Sequence, residues 1–167
     1  MTMEQAAART VVAQVVDPEM PMLTLEDLGV VRGVLVDGDT VTVTITPTYS
    51  GCPAMDAIRD DLRAALTQAG YPRVEVRTVL SPAWSTDWIS SGGRRKLAEA
   101  GIAPPGPAAP RAAGPIPLTL SPAPVVVPCP RCGSPGTEEL SRFGPTACTA
   151  LRRCPSCAEP FEHLKEL

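Results

Sequence analysis

From residue 40 to residue 46 the chain alternates without a break. Val41, Val43 and Ile45 fall on one side and Thr42, Thr44 and Thr46 on the other, the period-two pattern of a strand with one buried face. An apolar run from Val30 to Val36 precedes it, and Asp37-Gly38 between the two is a hairpin signal. The period then lengthens. Met55, Ile58, Leu62, Ala65, Leu66 and Ala69 form one stripe at helical spacing, predicting a helix from Pro53 to Ala69 with Gly70 at its C-cap. Arg73 to Leu80 alternates again and predicts a third strand. Residues 3–15 predict a leading helix capped by Thr2, and Gly93 to Ala100 a short closing one. The order is α-β-β-α-β-α: an α/β (α+β) domain with a small three-stranded sheet and helices packed on it.

The pattern stops at residue 101. Residues 101–128 contain nine prolines, Gly101, Gly106 and Gly114, and no acidic residue. This stretch reads as an extended, partly polyproline II linker. It separates a domain at 1–100 from a module at 129–167. A module of about 40 residues buries too little apolar surface to fold well by itself.

Cysteine spacing supplies what that module lacks. Cys129-Pro130-Arg131-Cys132 and Cys154-Pro155-Ser156-Cys157 are two Cys-x-x-Cys knuckles separated by 21 residues. Each knuckle turns both sulfurs toward one ion, and two knuckles complete a tetrahedral S4 shell suited to Zn2+ or a single iron. A structural Zn2+ would stabilise the short module. A rubredoxin-like redox iron, a cluster or disulfides are the alternatives. Cys148, six residues before the second knuckle, has no place in a closed S4 shell. It is either an extra thiol beside the metal or a packing residue of the hairpin. His163 is the one histidine of the chain; so near the end of the sequence it reads as solvated and not as a ligand.

Charge removes some functions. The net charge is −3, and residues 101–167 carry 6 basic against 5 acidic residues, so no basic footprint for nucleic acid is present. No run approaches the length of a membrane span, and no signal peptide is visible, which predicts a cytoplasmic chain with reduced thiols. No Gly-rich phosphate loop or His-Glu-x-x-His occurs, and the sole histidine lies outside the larger domain. General acid–base catalysis by histidine is therefore not expected there, and the chain is not read as an enzyme by itself.

In the larger domain the candidate is Cys52, within Thr48-Tyr49-Ser50-Gly51-Cys52-Pro53. Pro53 suits the first position of the helix, which places Cys52 at or beside the N-cap, where backbone N–H groups and the helix dipole lower a thiol pKa. The site could hold a metal, a cluster edge or an acyl group; otherwise Cys52 merely packs. Asp17-Pro18-Glu19 and Asp27-Leu28-Gly29 are either caps and turns or carboxylates that support Cys52. Trp84 and Trp88, on a Ser/Thr-rich loop after the third strand, are either core anchors or partner contacts.

Asp17-Pro18-Glu19, Asp27-Leu28-Gly29 and Gly51-Cys52-Pro53, in that order on an α/β frame, resemble the SufT-like domain of iron–sulfur assembly factors. With Pro47 to Pro53, Leu80 to Ile89 and the ribbon containing Phe143 to Cys148, the chain more closely resembles the PaaD family of phenylacetate degradation. That resemblance implies an accessory subunit of the ring-1,2-phenylacetyl-CoA epoxidase, a multicomponent monooxygenase. It implies as partners the other epoxidase subunits, including the flavin/iron–sulfur reductase. It further implies help in installing or maintaining an iron or iron–sulfur centre, with Cys52 contacting a transient iron or cluster and Asp17 and Glu19 in support. An electron carrier or a purely structural subunit of the same oxygenase is the alternative. The chain departs from the family pattern at Leu164-Lys165-Glu166, where a terminal thiol is expected, and at Thr149, where a lysine is common.

Overall fold

A computed structural model describes residues 2–49, 51–108 and 125–166. The chain divides into two compact units, with the division after Leu97.

The first unit follows the predicted order. Helix α1 (Met3–Val12) starts where Thr2 accepts the backbone N–H of Gln5 at 3.2 Å. Strands β1 (Val31–Asp37) and β2 (Thr40–Ile45) form an antiparallel hairpin. Gly38 takes φ 53° in its turn, a conformation readily open to glycine. Helix α2 (Met55–Gln68) crosses over, and β3 (Arg73–Thr78) pairs parallel to β2, giving the order β1-β2-β3. Val41, Val43 and Ile45 are all fully buried, as the alternation requires. The buried stripe of α2 is Met55, Ile58, Leu62 and Leu66, and α2 packs on β3 and on α1.

The loop from Ser81 to Ser90 folds back over residues 27–29. Trp84 is buried and donates its indole N–H to the Leu28 carbonyl at 2.8 Å. Trp88 is half-buried, with the Arg32 guanidinium 3.6 Å above its ring. Gly29 (φ 69°) passes so close to Trp88 that an added Cβ would lie 2.7 Å from the Trp88 carbonyl oxygen. No other residue fits there. Asp27 ties this loop to helix α3 (Ser91–Glu99). Its carboxylate accepts from the Thr24 N–H, the Ser90 hydroxyl and the Lys96 ammonium, the last at 2.6 Å.

The second unit is a four-stranded sheet of order β4-β7-β6-β5. It comprises β4 (Ile102–Ala103), β5 (Glu138–Ser141), β6 (Thr149–Arg153) and β7 (Pro160–Leu164). Its core gathers Ala103, Val127, Cys129, Cys154 and Phe161. Two parts of the stretch 101–128 therefore belong to this unit: Ile102–Ala103 pairs parallel to Glu162–His163, and Val127 is 2 % exposed. Residues 109–124, the middle of the linker reading, lie outside the described residues. His163 corrects an expectation: it is 4 % exposed, because β7 runs inside the sheet between β4 and β6. Among the described residues, no helix is long and apolar enough to cross a membrane.

Candidate functional site

The ribbon brings its four predicted ligands together. The sulfurs of Cys129, Cys132, Cys154 and Cys157 all lie within 4.8 Å of one another. Cys129 and Cys157 are 3.8 Å apart, and Cys132 and Cys154 3.5 Å. Four bonds of about 2.3 Å to a tetrahedral Zn2+ require sulfurs about 3.8 Å apart, so the donor set fits such an ion.

The two knuckles are near copies. Cys129 donates its N–H to the Ser134 carbonyl and Cys154 to the Glu159 carbonyl, five residues on in each case, at 2.9 and 3.0 Å. Backbone N–H groups also point at the sulfurs. Those of Cys157 and Ser156, with the Cys132 thiol, hold Cys154 down to about 6. On Cys132 the pull of the Ser134 N–H is outweighed by its thiol neighbours, Cys154 foremost, and the group is pushed up to about 12. A cation among the four sulfurs would supply the attraction that ionises them. When bound, Zn2+ in a closed S4 site supplies folding stability and no open coordination position.

Cys148 stands outside this group. It is buried, 3.0 Å from the Thr146 hydroxyl, and its carbonyl accepts the Lys165 N–H.

The second candidate centre lies in the first unit, and here the local geometry corrects the sequence reading. The N-cap of α2 is Ala54, not Cys52. Pro53 and Ala54 form a turn closed by the Met55 N–H on the Cys52 carbonyl at 3.4 Å, so Cys52 precedes the helix by one turn and is half-buried. Its thiol is raised, not lowered. Burial pushes it up, the Ala54 N–H pulls it back, the charges of Glu19 and Asp17 push it up further, and the Tyr49 side chain lowers it.

The charges of Asp17 and Glu19 act on the Cys52 thiol. Asp17 is 6 % exposed, and its Oδ1 accepts the N–H groups of Glu19 and Met20 at 2.9 and 2.8 Å. Burial nevertheless raises its pKa, and burial together with Asp17 raises that of Glu19. The three groups are not drawn as tightly together as the ribbon sulfurs. Asp27 is held in an ion pair with Lys96 at 2.6 Å. Tyr49 is a member that pattern reading passed over. It lies in the quoted Cys52 segment, but only the loop fold brings its side chain to the thiol.

The two halves match two family models: residues 5–80 match "Iron-sulfur cluster assembly protein" and residues 114–165 match "PaaD zinc beta ribbon domain". Across 92 % of its length the chain is 45 % identical to an Escherichia coli (strain K12) protein whose name makes it one of the subunits of a 1,2-phenylacetyl-CoA epoxidase, and the match covers 87 % of that protein. The chain belongs to the PaaD family. Its first half is also 38 % identical to the Fe-S protein maturation auxiliary factor YitW of Bacillus subtilis (strain 168), over 53 % of this chain and 90 % of the relative. In structure the PaaD chain is similar to a domain of unknown function, DUF59, from Bacillus anthracis. The TM-score is 0.53 at 27 % identity, over 56 % of this chain and 90 % of that one. The PaaD zinc ribbon is thus an addition to a fold shared with iron–sulfur maturation factors.

Proposed function

We propose that this PaaD-family chain is an accessory subunit of a phenylacetyl-CoA epoxidase that helps mature an iron or iron–sulfur centre in an oxygenase or reductase partner. What supports the reading is the match of residues 5–80 to an iron–sulfur cluster assembly model, with Cys52, Asp17 and Glu19 in that span each made harder to ionise by burial or by the charges of the others. Such a trio exchanges protons for a cation. Its soft sulfur and hard oxygens together suit iron as cargo. An elevated thiol pKa also keeps Cys52 protonated until the metal arrives, which suits transient holding. The ribbon sulfurs form a closed set, and their role in this reading is to fold the module that meets the partner.

The test is zinc and iron per chain after anaerobic purification, followed by epoxidase activity reconstituted with Cys52→Ser in place of wild type. The reading expects about one zinc per chain, a folded variant and lost activity recovered by the wild-type chain. Full activity with Cys52→Ser would remove the transfer role from that residue. Stable iron in the ribbon would instead favour an electron carrier.

A further inference from the structure

The loop between β5 and β6 is a part of the ribbon that the metal chemistry does not use. At its tip the Phe143 ring is 70 % exposed, yet its place is fixed. The Phe143 N–H donates to the Ser141 hydroxyl at 3.2 Å, and that hydroxyl donates to the Phe143 carbonyl at 2.9 Å. The next N–H, of Gly144, donates to the Thr149 carbonyl at 2.9 Å. The Lys165 ammonium lies 4.9 Å from the ring centroid and donates to the Arg142 carbonyl at 3.0 Å. A ring already held in place loses little freedom when it is covered, and aromatic residues are enriched at protein interfaces.

Three residues earlier Leu140 is also exposed, for a reason in the ladder. Glu139 pairs with Arg152 and Ser141 with Leu151, so two steps of β5 oppose one of β6 and Leu140 is the extra residue of a bulge. Such a bulge takes its residue out of the ladder and re-aims the side chain.

The charges at the ring are of one sign. Arg142 precedes it in sequence and Lys165 stands over it, and neither forms an ion pair among the described residues. The nearby carboxylates are engaged elsewhere. Glu139 lies 3.7 Å from Arg152, Glu138 is paired across the ladder with Arg153, and Glu166 accepts the Gly106 N–H. Two unmatched cations beside two exposed apolar side chains call for an occupant that brings both carboxylates and apolar carbon. A second copy of this patch would bring two more cations. A nucleic acid would bring anions against a net charge of −3 and no aliphatic partner for Leu140.

We propose that the Phe143 loop of the ribbon docks an acidic segment of a partner protein, with Phe143 and Leu140 against its apolar side chains and Arg142 and Lys165 paired to its carboxylates. The proposal rests on the reading that the chain serves epoxidase partners, and it names the surface that meets them.

Binding of the full-length, zinc-loaded chain to the purified oxygenase and to the purified reductase is measured by calorimetry at about 50 and about 300 mM salt. The expected result is saturable binding to one of them, weakened about tenfold or more by the higher salt. Phe143→Ala should weaken it about tenfold. Arg142→Glu combined with Lys165→Glu should remove it, while Leu35→Ala, an exposed change in the first unit, leaves it intact. Undiminished binding by Phe143→Ala or by a folded charge-reversed chain, insensitivity to salt, or binding to neither partner would each overturn the proposal. So would retention on single-stranded DNA in place of either partner. Should the charge-reversed chain not fold, Phe143→Ala decides. Cys52→Ser should bind like wild type, so the two readings fail separately: full activity with Cys52→Ser removes the transfer role, and full binding with Phe143→Ala removes this surface.

Discussion

Gly133 and Ala158 occupy the same position in the two knuckles, one residue after the second cysteine, and both take left-handed backbone, at φ 74° and 63°. The near-repeat of the knuckles demands that conformation twice, and the sequence meets it with glycine only once. An alanine there is about 1 kcal/mol less favourable than glycine. Ala158→Gly should therefore raise the stability of the zinc-loaded ribbon by about 1 kcal/mol. Urea unfolding followed through the amide resonances of β6 and β7 would measure it, and an unchanged midpoint would show that Ala158 is not strained.

Among the described residues, one core cluster of the ribbon is five buried residues, and two of them are the predicted ligands Cys129 and Cys154. Removing the ion leaves four sulfurs within 4.8 Å of one another with no cation between them. Chelation should thus melt β5, β6 and β7 while the first unit, whose core has its own leucines and valines, stays folded. Hydrogen exchange before and after addition of a strong chelator separates the two units. Retained protection in β6 would mean that burial alone suffices.

Asp17 and Asp27 are ten residues apart and should respond to pH with opposite signs. The folded-state pKa of Asp17 is raised by burial, so its contribution is full below the unfolded value and is lost as pH rises through the folded value. On Asp27 burial is outweighed by Lys96, the Thr24 N–H and hydroxyl and Ser90, and its pKa is lowered. Its contribution is present above the unfolded value and lost as pH falls through the folded one. At pH 7 Asp17→Asn should stabilise the first unit and Asp27→Asn destabilise it. Thermal unfolding at pH 7 and pH 3.5 checks both signs. A carboxylate retained where it costs stability marks a site kept for another purpose.

Cys52 should alkylate slowly at pH 7–8, with its rate still climbing above pH 9, because its thiol is raised by burial and by the two neighbouring carboxylates. Glu19→Gln removes one of those charges and should shift the rate profile toward lower pH. Mass spectrometry of the Cys52 peptide after timed iodoacetamide exposure gives the profile. A rapid reaction at pH 7 would restore the N-cap picture of an activated thiolate.

The contrast between Cys52 and the ribbon cysteines explains what the sequence made legible. Periodicity is a one-dimensional signal and gave the order α-β-β-α-β-α, because each element buries one face. Knuckle spacing is local too, and all four sulfurs converge. The protonation of Cys52 depends on two residues that lie more than thirty positions earlier and on the depth of a loop, and neither leaves a mark around Cys52 itself. The helix rule failed there because Pro53 and Ala54 form a turn of their own before α2 begins. His163 was misplaced for a related reason. Position near the end of the sequence says nothing about burial when another strand, Ile102–Ala103, arrives from sixty residues upstream to cover it.

That short strand also decides how the ribbon meets its surroundings. An open sheet edge is a template on which another chain can add a strand, and among the described residues the ribbon sheet has two edge strands. One is β4, two residues long and followed by Pro104 and Pro105, neither of which has an N–H to offer. The other is β5, with exposed Glu138 and Glu139 and an irregular register between Glu139 and Ser141. Both are poor templates. The ribbon sheet is thereby guarded against polymerising through its own backbone, and whatever binds it must be recognised by side chains and cavities.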